Sequence, residues 1–178
     1  MTSTDGAVWN DETEAGDYFW GISYGNGTFV AVGLNGRIMT STDGAVWNDE
    51  TEAGDTFWGI SYGNGTFVAV GVNGRIMTST DGAVWNDETE AGAWFYGISY
   101  GSGTFVAVGA GGRIMTSTDG AVWNDETEAG DIFYGISYGN GTFVAVGLNG
   151  RIMTSTDGAV WNDETEAGDT FWGISYGN

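Results

Sequence analysis

A chain of 178 residues holds enough material for one sizeable core, and its 15% aromatic content supplies bulky side chains to fill it. Pro, Cys, His and Lys are all absent, which excludes disulfides, thiolate or imidazole metal sites and any Cys or His nucleophile. A net charge of -20, from 24 carboxylates against four arginines, repels phosphate backbones and anionic headgroups, so neither nucleic acid nor a membrane surface is expected as a partner.

The string MTSTDGAVWNDETEAG begins at Met1, Met39, Met77, Met115 and Met153, a spacing of 38 residues without insertion, and the last copy is incomplete. Such a fixed period marks a repeat architecture, here expected to form a single domain over residues 1–178. No apolar run approaches the length of a membrane span, and Met1-Thr2-Ser3-Thr4-Asp5 lacks the basic and apolar regions of a signal peptide, so no compartment is encoded here.

Each unit reads as four extended segments separated by Gly-rich turns. In the unit after residue 18, segment A is Phe19–Tyr24 and segment B is Thr28–Gly33; both are rich in aromatic and β-branched residues and apolar on both faces. Asn26-Gly27 lies between them, repeated as Asn64-Gly65 and Asn140-Gly141, and is a strong tight-turn signal. Segment C, Arg37–Thr42, is mixed; the Asp43-Gly44 turn follows; segment D, Val46–Glu52, becomes polar after its Trp. Apolarity thus falls from A to D. A propeller blade needs such a gradient, because inner strands are covered by neighbouring blades and the outermost strand is an edge kept soluble by charge. The expected fold is all-β: a five-bladed β-propeller of four-stranded antiparallel blades. A β-solenoid is the competing architecture, but its coils are usually shorter and carry no radial gradient.

Four whole units leave segments C and D at the N-terminus and A at the C-terminus, so the two ends are expected to share a composite blade. The sequence reaches Asn178 where GTFVAVGxNGRI would follow, which leaves that blade without segment B. A truncated chain, a tolerated gap, or a slot filled by another chain through strand addition would each account for this, and the last would allow self-association.

The segment Ser41-Thr42-Asp43-Gly44-Ala45-Val46-Trp47 has copies at Ser3, Ser79, Ser117 and Ser155. It resembles the Asp-box of BNR and sialidase-like β-propellers, being one residue shorter between Asp and Trp than the usual S-x-D-x-G-x-x-W. The resemblance implies a structural role: Asp5, Asp43, Asp81, Asp119 and Asp157 tie the C to D turn, while Trp9, Trp47, Trp85, Trp123 and Trp161 pack between blades. With GNGTFVAVGxNGRI, the chain also looks like Gly-rich propeller repeats of bacterial secreted proteins, which implies an extracellular setting. It implies no catalysis. A sialidase-like enzyme needs three Arg converging on a carboxylate, whereas Arg37, Arg75, Arg113 and Arg151 are four copies of one position. Near-perfect symmetry leaves no means of giving an acid, a base and a nucleophile distinct environments, so the protein is read as not an enzyme.

Differences among the copies fall in two places. Between D and A stand Asp17-Tyr18, Asp55-Thr56, Ala93-Trp94, Asp131-Ile132 and Asp169-Thr170, each followed two residues after its first member's neighbour by an aromatic: Trp20, Trp58, Tyr96, Tyr134 or Trp172. Between B and C stand Leu34-Asn35, Val72-Asn73, Ala110-Gly111 and Leu148-Asn149, and Ser102 replaces Asn in one A to B turn. In an antiparallel blade the D–A and B–C connections emerge on one face. Tyr18, Trp94, the Trp20-type aromatics, Asn35, Asn73, Asn149 and the four arginines therefore make up a candidate ligand surface, since aromatic, amide and guanidinium groups stack on and hydrogen-bond sugar rings. The alternative for the aromatics is packing between blades, and for the arginines an ion pair with Asp17-type residues.

The acidic run Asn48–Glu52 could offer oxygens to Ca²⁺, but alternation divides its carboxylates between two faces, and a solvated edge strand is the preferred reading; no metal or cofactor is expected. The function expected is a multivalent, lectin-like binding module for glycans. The alternative is a symmetric structural or engineered scaffold with no specific ligand.

Overall fold

The computed structural model describes residues 2, 18–50, 54–88, 92–126, 130–164 and 168–177. Asp5, Trp9 and Asp17, and nearly all of the N-terminal C and D segments, lie outside the described residues. Four antiparallel sheets follow one another, each with its strands in sequence order. The first holds β1 (Phe19–Gly25), β2 (Thr28–Gly33), β3 (Ile38–Ser41) and β4 (Asn48–Asp49), and the second β5 (Phe57–Gly63), β6 (Thr66–Gly71), β7 (Ile76–Ser79) and β8 (Asn86–Asp87). The third holds β9 (Phe95–Gly101), β10 (Thr104–Gly109), β11 (Ile114–Ser117) and β12 (Asn124–Asp125), and the fourth β13 (Phe133–Gly139), β14 (Thr142–Gly147), β15 (Ile152–Ser155) and β16 (Asn162–Asp163). These are the blades of a β-propeller, with the first strand of each blade innermost and lying against the first strand of the next.

The core is divided among the interfaces between blades. Val30, Val32 and Ile38 of the first blade pack against Phe57, Ile60, Phe67, Ala69, Met77 and Trp85 of the second, and the same residues recur at the next two interfaces. Phe57, Phe67, Phe95, Phe105, Phe133 and Phe143 are all essentially inaccessible, and each contributes about 2 kcal/mol by leaving water. Burial does not follow the A to D gradient. It peaks in the second and third strands, where even Thr40 and Ser41 are buried, whereas first strands lying between two blades still mix buried with half-buried residues.

The outermost strand starts later than the sequence implies. Its ladder begins at Asn48, and Val46 and Trp47 belong to the turn before it. The cause is local. Asp43 Oδ1 accepts hydrogen bonds from the backbone N–H of Ala45 (2.8 Å) and Val46 (2.9 Å) and from the Ser41 hydroxyl (3.1 Å), and Trp47 Nε1 donates back to the Gly44 carbonyl at 3.0 Å. Two N–H groups captured by a carboxylate cannot join a ladder. Asp81, Asp119 and Asp157 repeat the arrangement.

The tight turns between first and second strands put Asn26, Asn64, Asn140 and Ser102 in the left-handed region, with φ between 49° and 52°. Asn tolerates that conformation better than Ser. Ser102→Asn is therefore expected to raise stability by about 0.5 kcal/mol, read as a shifted midpoint in urea with unchanged m-value.

Candidate ligand-binding face

Each inner strand carries a β-bulge at its start. Phe19 pairs with Gly33 and Gly21 with Val32, so Trp20 is the extra residue; Trp58, Tyr96 and Tyr134 occupy the same bulge in the other blades. The bulge turns these rings toward one another across the blades. Centroids are 4.8 Å apart for Trp20 and Trp58, 5.9 Å for Trp58 and Tyr96, 5.4 Å for Tyr96 and Tyr134, and 4.6 Å for Tyr134 and Trp172. One aromatic row thus links all five copies of the position. Tyr18 stacks on Trp20 at 6.2 Å, and Trp94 meets Tyr96 edge-on at 6.3 Å.

The row is both packing and surface. Trp58, Tyr96 and Tyr134 are half-buried between neighbours, and burial, then the adjacent Tyr134, pushes the Tyr96 hydroxyl above its ordinary value. Tyr18, Trp20, Trp94 and Trp172 remain open, at 69%, 50%, 45% and 74% exposure. The variable connections do share one end of the blades: Leu34 N donates to the Tyr18 carbonyl at 2.9 Å, Asn35 N to Thr56 Oγ1 of the next blade at 3.3 Å, and Asn149 Nδ2 to Asp131 Oδ2 at 3.3 Å. Thr56, one of the variable connector residues, thereby joins two blades. The only sequence sign of the bulge was an aromatic pair followed by Gly, facing a Gly at the end of the second strand.

The arginines are placed differently from the aromatics. Arg37 pairs with Asp49 at 3.1 Å, Arg75 with Asp87 at 3.5 Å and Arg151 with Asp163 at 3.0 Å, with guanidinium side chains only 12–20% exposed. Each of these three partners is the aspartate of the outermost strand in the same blade. The side chains also reach the sulfurs of Met39, Met77 and Met115, and the Arg113 and Arg151 guanidinium groups stand 6.0 and 5.6 Å from the Phe95 and Phe133 rings. Asn35, Asn73 and Asn149 have φ of 56–58° inside 3₁₀ turns, and Gly111, at φ 68°, stands at that position in the third blade. Asn and Gly are the residues that accept this conformation, so backbone geometry explains the variation there.

The acidic run is partitioned as alternation requires: Asp49 faces Arg37, while Glu50 Oε1 accepts from the Thr40 hydroxyl at 3.0 Å. Among the described residues no three Asp or Glu side chains gather into a metal-binding group.

No protein-family model and no curated protein matches this sequence. Solved structures do match it in fold. A virginiamycin B lyase from Staphylococcus aureus aligns with TM-score 0.79 at 16% identity over 90% of this chain and 60% of its own. YCF48 bound to D1 peptide aligns with TM-score 0.70 at 19% identity, covering 90% of this chain and 57% of that one. The WD40 β-propeller domain of Doa1 aligns with TM-score 0.66 at 10% identity over 85% and 55%. The chain is a β-propeller by fold, spanning about three fifths of the length of the first two.

Proposed function

We propose that the chain is a non-catalytic, multivalent binding module, a single propeller domain whose aromatic face stacks on neutral sugar rings. The observation that carries the reading is the open edge of the aromatic row: Tyr18, Trp20, Trp94 and Trp172 present ring faces to solvent at the end of the blades where the copies differ. Exposed aromatic faces on a rigid sheet lose little entropy on binding, and apolar C–H faces of pyranose rings fit them. Repetition around one face supports avidity for a multivalent glycan. The net charge of -20 disfavours anionic ligands, which selects neutral over sialylated or sulfated sugars. The YCF48 structure with bound peptide supports the coarser view of such propellers as binding platforms.

Trp94→Ala and Tyr18→Ala are expected to leave the melting temperature within about 2 °C of the parent while abolishing retention on a glycan array, because both rings are largely exposed. Retention that survives both substitutions would place the site elsewhere. Silence from the parent, verified as folded, would leave the symmetric scaffold as the better reading.

A further inference from the structure

Asn-Gly pairs occur at two turns of the blade, and the fold treats them differently. Asn26-Gly27, Asn64-Gly65 and Asn140-Gly141 form the hairpin tips between first and second strands, while Asn35-Gly36, Asn73-Gly74 and Asn149-Gly150 lie in the 3₁₀ turns between second and third. At the tips both residues are exposed, and nothing stands within 4 Å of a Cβ built at Gly27, Gly65 or Gly141. The ladders end at Gly25–Thr28, Gly63–Thr66 and Gly139–Thr142, so the tip residues lie beyond them. Among the described residues nothing accepts the N–H of these three glycines or holds the three Asn side chains. The other turn is clamped. Gly36, Gly74 and Gly150 are buried, and around the first of them Gly33 N donates to the Arg37 carbonyl at 2.9 Å, Leu34 N to Tyr18 at 2.9 Å and Arg37 N to Leu34 at 3.1 Å. The second and fourth blades repeat these bonds, and Asn35 N and Asn149 Nδ2 add the links to Thr56 and Asp131.

We infer that Asn26, Asn64 and Asn140 are sites of spontaneous covalent modification, converted to aspartate and isoaspartate with water as the co-reactant, and that the fold holds back the same chemistry at Asn35, Asn73 and Asn149. Loss of the Gly27 N–H proton to hydroxide leaves a nitrogen that attacks Asn26 Cγ. The N–Cγ bond forms, the Cγ–Nδ2 bond breaks, and the amide nitrogen takes up a proton from water and leaves as ammonia. Water then opens the five-membered imide. Addition at Cγ gives aspartate; addition at the main-chain carbonyl gives isoaspartate, whose main chain runs through Cβ and Cγ. Glycine favours the attack because it has no side chain to shield its nitrogen. Ring closure also requires rotation of the Asn main chain, which a hairpin tip allows and a turn clamped on both sides resists. Each event adds one negative charge to a chain already at -20. The charge appears at the end of the blade opposite the aromatic row, since the first strand runs from the bulge at Trp20 to Gly25. The third blade carries Ser102-Gly103 and Gly111-Gly112 at these positions, so it alone of the four whole blades has neither pair.

Incubation of the full folded chain in mildly alkaline water enriched in heavy oxygen, followed by tryptic peptide mass spectrometry, tests this. Cleavage after Arg37, Arg75, Arg113 and Arg151 separates the blades, so peptides 1–37, 38–75 and 114–151 each carry one Asn-Gly pair of either kind, and peptide 76–113 carries none and serves as the blank. Fragmentation should place the label on Asn26, Asn64 and Asn140 first, and on Asn35, Asn73 and Asn149 at least about tenfold more slowly, because several main-chain bonds must open there. In urea strong enough to unfold the chain, all of these positions should react alike. Ser102→Asn should create a further early-labelled site in peptide 76–113, and serine at residues 26, 64 and 140, the residue that the third blade already accommodates, should remove the early label. Equal rates at the two turns of the folded chain overturn the inference. So do tips that stay unlabelled while the unfolded chain reacts, and a difference that persists in urea, which would belong to the sequence and not to the fold.

Discussion

Gly71→Ala is expected to destabilise the protein by about 3 kcal/mol, a larger effect than any exposed substitution should have. The backbone of Gly71 is extended, at φ -163°, so no conformational strain is at issue. The difficulty is contact. A methyl group at residue 71 would fall inside the van der Waals shell of the Thr56 carbonyl oxygen and against Phe57 Cα, and both are main-chain atoms with no rotamer to escape into. That carbonyl also accepts the Val72 N–H at 3.0 Å, and Gly71 N donates to the Arg75 carbonyl at 2.9 Å, so the strand end is held from both sides. Relief requires the Phe57 to Gly71 pair to open, and with it the bulge that aims Trp58 into the aromatic row. In thermal unfolding the loss corresponds to roughly 6–12 °C for a chain of this size. Gly173→Ala serves as the matched control: nothing surrounds that position among the described residues, and a change within about 0.5 kcal/mol is expected. Equal behaviour of the two variants would mean that the close approach at the bulge is not what demands glycine.

The period and the turn residues made the architecture legible. Asn-Gly and Asp-Gly at fixed positions divide each repeat into strands, and β1 and β2 begin at the first residues of the apolar segments A and B. What escaped sequence reading depended on a neighbour in space. The bulge at Trp20 exists because Gly33 faces it, and a periodicity count over one strand does not include the partner. Strand four starts only at Asn48 because Asp43 competes with the ladder for two N–H groups, an outcome of a local hydrogen bond. The Arg37–Asp49 pair likewise depends on the antiparallel return of β4, which brings together residues twelve apart in sequence. The inner-strand heptapeptide is the limiting case: three identical copies, buried, half-open and unpaired, differ only in what lies beside them. The aromatic positions are visible in the repeat, while their continuity as one row follows from the bulges.

The second large effect lies in the repeated Asp turn and in its response to acid. Asp81→Ala removes acceptors for Ala83 N (2.9 Å), Val84 N (3.0 Å) and the Ser79 hydroxyl (3.1 Å), and it loosens the turn whose Trp85 Nε1 donates to the Gly82 carbonyl at 2.8 Å. By analogy with helix N-caps, where one carboxylate likewise satisfies two free N–H groups, the loss should be about 1–2 kcal/mol. Hydrogen bonds from the backbone of Val84 and Ala83 hold the Asp81 carboxyl below its ordinary 3.8, and Val46, Val122 and Val160 with their preceding alanines do the same for Asp43, Asp119 and Asp157. A carboxylate with a lowered folded-state pKa contributes stability that is complete above its unfolded value and disappears as pH falls through the folded one. Four turns should therefore weaken together below about pH 4, an effect that acts on every blade at once. Protonation of the remaining carboxylates works in the opposite sense, because it relieves the self-repulsion of a chain carrying -20. Salt separates the two: at about 1 M, where repulsion is screened to within roughly 3 Å, only the hydrogen-bonded turns should retain a pH dependence. Urea unfolding in high salt, followed from neutral pH down to about pH 3, should show stability falling in the parent and falling less in Asp81→Ala, which has one such turn fewer. A parent whose stability in high salt is flat across that range would mean that these aspartates do not hold the turns as carboxylates.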